Sequence, residues 1–213
     1  MILAIIGIET RYGRVAGNHK VIDALLTLGF DYPPRATFFK GQLEQFLLLL
    51  DEQKMDVAEL KGSYAGAMGY GQFIAGSYRA YAVDGDNDGK IDIWTNKPDA
   101  VASVANYFAR HGWKEGGLVA LQLPAQSIKA EQASKALKPE KTVGQWRKEG
   151  IIIPPEIQDA AKATLMVLET PEGKEYWLGF DNFYAITRYN HSHMYAMAAF
   201  QFSQLLRLHL DMP

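Results

Sequence analysis

GIETRYGRVAG, Gly7 to Gly17, decides how this chain is read, because it puts a carboxylate where burial is expected. The run before it, MILAIIG, carries no charged side chain. Such a run reads as the end of a buried helix that delivers Glu9 to its terminus. Apolar surroundings disfavour the charged form of an acid and raise its pKa, as a proton donor at neutral pH requires. A glutamate beside an apolar helix also serves as an ion-pair partner or a plain helix end, so Glu9 alone carries no function. Its context extends to GSYAGAMGYGQF, Gly62 to Phe73, where four glycines let backbone approach a ligand closely. Ser63, Tyr64, Tyr70 and Gln72 offer neutral hydrogen bonds there, which suit carbohydrate better than phosphate. Neither a Walker-type nor a dinucleotide-type glycine motif occurs. As a bare pattern, the same glycines also suit a close helix–helix contact.

Outward from these stretches the chain is mainly helical. VIDALLTLGF (21–30) has helical spacing and stops at Gly29, and Tyr32-Pro33-Pro34 breaks the chain. Thr37 is expected to cap a helix over 38–53, whose FLLLL segment is apolar nearly all round and therefore central. Another helix is expected over 98–111, with Pro98 in its first turn. The character then changes. LVALQL (118–123) reads as a strand, and TVGQWRKEG (142–150) as a short helix capped by Thr142. TLMVLE, Pro171-Glu172-Gly173 and KEYWLGF read as a β-hairpin. Helix returns after Asp181 and Ser192, both expected caps.

DGDNDGKIDIW, Asp84 to Trp94, begins like a calcium loop. Asp84, Asp86 and Asp88 occupy positions one, three and five, Gly89 permits the sharp turn at six, and the Lys90 carbonyl falls at seven. The pattern fails at twelve, where Thr95 replaces the bidentate glutamate, and Asp99 is the nearest substitute. A surface turn rich in Asp and Gly is the alternative, but clustered carboxylates repel one another and a cation relieves that.

Composition narrows the rest. The 213 residues are 48% hydrophobic, enough for a core without metals or disulfides. With 22 basic against 24 acidic residues there is no basic excess for nucleic acid. No cysteine is present, which excludes disulfides and thiolate chemistry. No signal peptide or membrane-length apolar run is visible. His191 and His193, two apart, do not have metal-ligand spacing.

The stretches IGIETRYGRVAG, YPPRATFF, LKGSYAGAMGYGQF, YAVDGDNDGKIDIW, VANYFARHGW and FYAITRYNHSHMYAMA, in that order, resemble the lytic murein transglycosylase B family. The resemblance implies an α+β, mainly α fold: a lysozyme-like helical core with an EF-hand-like calcium loop and a small β-containing insertion. The expected division is a core over 1–113 with its calcium loop at 84–99, an insertion over 114–180, and C-terminal helices over 181–213 that complete core and groove. It implies a lyase that cleaves the β-1,4 bond between N-acetylmuramic acid and N-acetylglucosamine in peptidoglycan and leaves a 1,6-anhydromuramoyl product. Glu9 would be the sole acid/base and Ser63 would hold it. Met68, Gln72, Tyr107, Tyr189, Asn190 and Tyr195 would line the glycan groove. Asp84, Asp86, Asp88, the Lys90 carbonyl and Asp99 would hold a structural calcium ion. A periplasmic or cell-envelope location follows from the same resemblance.

Two departures stand out. The family has substantial sequence before its catalytic helix, whereas Glu9 is the ninth residue here, so self-association through surface left open is expected. The family also often carries two basic residues after its Tyr-Pro, where this chain has Pro34 and then Arg35, leaving Arg35 to meet the carboxylates of the peptide stem. The competing expectations are an inactive or glycan-binding truncated relative and a muramidase-type hydrolase.

Overall fold

The computed structural model describes residues 1–210, apart from the side chains of Ser127, Ala130 and Leu210; the last three residues of the expected 181–213 segment lie outside it. Two compact units divide between Tyr107 and Phe108. The helices from Asp181 onward group with the second unit rather than the first.

In the first unit, helix α1 (Ile2–Thr10) buries Ala4, Ile5, Ile6 and Thr10. A two-residue strand β1 (His19–Lys20) leads directly into α2 (Val21–Phe30). Helix α3 (Ala36–Gln53) starts earlier than expected, because a 3-10 turn over Pro33–Arg35 feeds straight into it. Thr37 therefore sits inside the helix and Arg35 is the cap residue. The FLLLL segment is also one-sided rather than central. Phe46 and Leu49 are fully buried, while Leu47 is 52% exposed and Leu48 43%. Strand β2 (Lys61–Gly62) pairs antiparallel with β1, His19 opposite Gly62. Helix α4 (Ala75–Tyr81), which the sequence reading did not anticipate, precedes the acidic loop, and α5 (Lys97–Arg110) follows it.

In the second unit a four-stranded antiparallel sheet has the order β3 (Ala120–Leu123), β6 (Gly173–Gly179), β5 (Lys162–Thr170), β4 (Lys141–Thr142). The expected hairpin is β5–β6, paired from Thr164 opposite Gly179 to Thr170 opposite Gly173. Thr142 caps α6 (Val143–Lys148) in a complete capping box with Gln145. Trp146, Leu165, Leu178 and Phe180 are among the residues of a common core. The Trp146 indole N–H reaches the Ala163 carbonyl at 3.1 Å, so the buried polar atom is satisfied. Asp181 is the first residue of α7 (Asp181–Tyr189) and makes no capping bond. Ser192 does cap α8 (His193–Leu210), its hydroxyl accepting from the Tyr195 amide at 3.3 Å.

Candidate active site and metal centre

Glu9 lies in the last turn of α1 and is partly buried. The chain turns away abruptly after it. Arg11 (φ 50°), Tyr12 (φ 59°) and Gly13 (φ 85°) all adopt left-handed backbone, which two of them, as non-glycine residues, rarely do. Such strain persists only where the surroundings enforce it. Thr10, 1% exposed, provides much of that enforcement. Its hydroxyl lies 3.1 Å from the Ile6 carbonyl and 2.9 Å from the Tyr70 carbonyl, and accepts from the Gly13 amide at 3.0 Å. The Tyr70 ring packs on Gly13 so closely that a Cβ there would stand 2.1 Å from it.

The glycine-rich stretch forms the second wall of this corner. The Met68 and Phe73 backbones exchange hydrogen bonds at 2.8 and 2.9 Å. Gln72, itself left-handed at φ 52°, donates its amide to the carbonyls of Ala16 (3.1 Å) and Gly69 (3.0 Å). It thereby ties the turn after Glu9 to the loop. Ser63 Oγ accepts from the amides of Ala65 and Ala67 at 3.3 and 3.1 Å, which shapes the loop from within. Met68, expected to line the glycan groove, has its side chain fully buried. Tyr107, 8% exposed, packs its ring against Phe73 and Tyr81 and is mostly wall rather than surface. Arg35 is exposed, with its guanidinium over the rings of Phe38 (4.4 Å) and Phe39 (5.2 Å). The remaining expected groove residues belong to the second unit. Tyr189 stacks on Phe108 at 6.0 Å, Asn190 is exposed just past α7, and Tyr195 is partly buried in the first turn of α8.

In the acidic loop, carboxylate oxygens of Asp84, Asp86 and Asp99 lie within 4.8 Å of one another. Asp99 is fully buried, and its two oxygens accept from the amides of Gly85 and Asp92, both at 2.7 Å. Among the described residues no cationic side chain forms an ion pair with it. Asp88 is not part of that group. Its Oδ1 accepts from the Lys90 amide at 2.8 Å, which turns it toward its own loop backbone. Thr95 hydrogen-bonds Asp92 through its hydroxyl. The amide of Asn96 supports Asp86 at 2.8 Å, a contact the sequence reading missed. Hydrogen bonds, first from the Gly89 amide and then from neighbouring amides, hold Asp84 below the usual carboxylate range. Burial pushes Asp92 up, but bonds from Thr95, Trp94 and Asn96 outweigh it and hold Asp92 low.

The two regions are physically linked. The Tyr70 amide donates to the Ile93 carbonyl at 2.9 Å, and the Trp94 indole donates to the Lys61 carbonyl at 2.9 Å. Tyr78 donates its hydroxyl to the Ile91 carbonyl. Burial, then the charges of Asp92 and Asp99, push its pKa well above the usual tyrosine value. Among the supporting residues assigned no role in the site from sequence, Thr10 stands beside the glutamate in the chain, whereas Asn96 carried no signal.

Comparison with known proteins agrees with this picture. A family profile described as the transglycosylase SLT domain matches residues 1–204. Membrane-bound lytic murein transglycosylase B of Escherichia coli (strain K12) is 46% identical over 208 residues, 98% of this chain and 56% of that protein. The chain thus spans about half the length of that relative. The structure of the E. coli lytic transglycosylase Slt35 in complex with calcium matches with a TM-score of 0.87 at 46% identity, covering 97% of this chain and 65% of that one. SltB3 from Pseudomonas aeruginosa, in complex with NAG-anhNAM-pentapeptide, matches with a TM-score of 0.81 at 36% identity, covering 93% of this chain and 53% of that one. The mainly helical fold with its small sheet is shared with these structures, and among the described residues no helix is long and apolar enough to cross a membrane. With its profile matched over nearly the whole chain and a relative this similar, the chain belongs to the transglycosylase SLT-domain family.

Proposed function

We propose that this chain is a lytic transglycosylase of peptidoglycan in the cell envelope, with Glu9 as its one acid/base. The observation that carries the reading is the partly buried Glu9, held at the end of an apolar helix by a strained turn that Thr10, Tyr70 and Gln72 lock in place. Protonated Glu9 gives its proton to the oxygen of the β-1,4 bond between N-acetylmuramic acid and N-acetylglucosamine, and that oxygen leaves with the bonding pair. The muramoyl N-acetyl oxygen steadies the anomeric carbon. The C6 hydroxyl of the same sugar then bonds to that carbon and returns its proton to Glu9. Water is neither consumed nor released, and the product is a 1,6-anhydro ring. The anhydromuramoyl ligand of the P. aeruginosa relative supports this product.

Around the acid, Ser63 shapes the glycine-rich wall, and Gln72 keeps its carbonyl oxygen for a sugar hydroxyl. We assign Tyr107, Tyr189, Asn190 and Tyr195 to sugar contacts and Arg35 to stem carboxylates. Asp84, Asp86 and Asp99, with the carboxylate of Asp88 and the carbonyl of Lys90 in reserve, fit a calcium ion by their oxygen donors, and the calcium complex of the E. coli relative supports that ion. When bound, the ion supplies a charge cross-link and takes no part in bond cleavage. The test is mass spectrometry of digests of purified peptidoglycan. Anhydro products support the reading; products heavier by one water identify a muramidase-type hydrolase; binding without turnover identifies a glycan-binding relative.

A further inference from the structure

His193 opens α8, and its imidazole ties that helix start to the insertion. Nε2 lies 3.2 Å from the Ala136 carbonyl, and because a carbonyl only accepts, Nε2 carries the proton. Ala136 is itself fixed to the sheet. The Thr164 hydroxyl donates to the same carbonyl at 3.0 Å, the Ala136 amide donates to Ser134 Oγ at 2.9 Å, and the Ser134 amide donates to the Leu165 carbonyl at 2.8 Å. The imidazole also meets the Phe183 ring of α7, with centroids 6.2 Å apart. The turn that His193 anchors is short. Asn190 precedes it and Tyr195 follows it, and Ser192 closes it. The Ser192 amide donates to the Asn190 carbonyl at 2.7 Å, and its hydroxyl accepts from the Tyr195 amide at 3.3 Å.

The surroundings favour the neutral ring. It is half-buried at the first residue of a helix, where the backbone dipole repels a cation. One turn along α7 from Phe183 stand Phe180, Ile186 and Thr187, and one turn along α8 from His193 stand Ala196 and Met197. Of the charged groups on α7, Asp181 pairs with Lys114 and Arg188 lies over the Tyr184 ring. Lys135 and Lys138 flank Ala136, and Lys162 shares the Thr164 face of β5; all three are exposed cations. Glu169 lies five residues beyond Thr164, and His191 is exposed. At 6.2 Å and a tilt of 42°, Phe183 is at the limit of cation–π reach. Burial outweighs the Ala136 bond and lowers the imidazole pKa below its ordinary 6.5. The neutral ring is therefore in place above 6.5, and charge enters as pH falls through the lowered value. A charged ring gains by swinging out to water. Thr164 keeps the Ala136 carbonyl bonded when it leaves, so release strands no buried acceptor.

We propose that His193 is a positioning residue for sugar binding: as a neutral imidazole it holds the Asn190–Tyr195 turn against the sheet, and on protonation it releases that turn, so glycan binding weakens in mild acid. The proposal rests on the sugar contacts assigned above to Asn190 and Tyr195. A histidine that served stability alone would leave the pH profile of binding unmoved when replaced.

The experiment is sedimentation with purified sacculi from pH 5 to 7.5, in the Glu9→Gln protein so that the titration of the acid is removed. Binding is expected to weaken about threefold or more toward pH 5, as the competent fraction falls. Adding His193→Gln, whose amide can give the Ala136 bond but takes up no proton, is expected to flatten that decline. His193→Leu is expected to weaken binding at every pH, and His191→Gln to leave the decline as it was. On the unaltered protein, NMR is expected to show the Asn190 and Tyr195 amide resonances shifting with the midpoint of the His193 ring, a readout that needs no variant to fold. A decline that survives His193→Gln, or resonances that do not follow the ring, overturns the proposal. Sacculi left unbound at every pH overturn the function proposed above and this role with it.

Discussion

At the scale of single residues, the corner around Glu9 depends on a hydroxyl beside the acid. Thr10 joins α1, the Gly13 turn and Tyr70 through one oxygen. Thr10→Val keeps the shape and deletes that junction, leaving the Gly13 amide and the Tyr70 carbonyl short of a partner. The expected cost is about 1 to 3 kcal/mol, read by thermal or denaturant unfolding. Gly13→Ala is expected to be as harmful, because the new Cβ meets the Tyr70 ring at a left-handed φ of 85°. Under the proposed reading, Glu9→Gln lowers turnover about 10² to 10⁴-fold with peptidoglycan binding retained, measured by product release and by sedimentation with sacculi. Persisting cleavage would mean that another group supplies the proton. Glu9 was legible in the sequence because it interrupts an apolar run. The burial of Met68 was not, since a methionine among glycines reads equally as surface or floor until the loop is folded over it.

At the scale of elements, the acidic loop between α4 and α5 is supported by its own backbone and by Asp99. Removal of calcium with chelator is expected to lower the melting temperature, and Asp99→Asn to reproduce most of that loss without chelator. An unchanged melting temperature together with no metal by elemental analysis would remove the ion from the account. The loop also sets a pH dependence. Asp84 has a folded pKa below its ordinary value of 3.8, so its contribution to stability is present above that value. It is lost as pH falls through the depressed folded value. Tyr78 works at the other end. Its folded pKa is raised above 10.0, so its contribution holds below that pH and fades as pH rises beyond it. Tyr78→Phe should therefore flatten the alkaline decline in melting temperature while costing about 1 kcal/mol at neutral pH for the lost bond to Ile91. Helix α3 shows why the element scale misleads a linear reading. Four consecutive leucines suggest burial all round, yet a helix in contact on one face must turn some of them outward, as Leu47 and Leu48 are.

At the scale of the whole molecule, each compact unit has its own core and its own stabilising network. The first joins the acidic loop to the Glu9 corner through the Tyr70–Ile93 and Trp94–Lys61 bonds. The second is organised by the β5–β6 hairpin and Trp146. Hydrogen exchange should report this division. Chelator is expected to speed exchange at the Tyr70 and Asp92 amides and leave the β5–β6 amides unchanged. Uniform acceleration across both would show that the ion stabilises the chain as one cooperative body. The sequence alone determined the mainly helical class, the hairpin, the Thr142 cap, the apolar helix that carries Glu9 in its last turn and the acidic loop. Each of these is written in local periodicity, turn chemistry or ligand spacing, which short stretches carry by themselves. Only the tertiary structure decided that Asp99 lies beside Asp84 and Asp86, that Gln72 clamps the turn after Glu9, and that His193 reaches Ala136. Those facts join residues far apart in the chain, and no local preference encodes which distant partner a side chain meets once the backbone has folded.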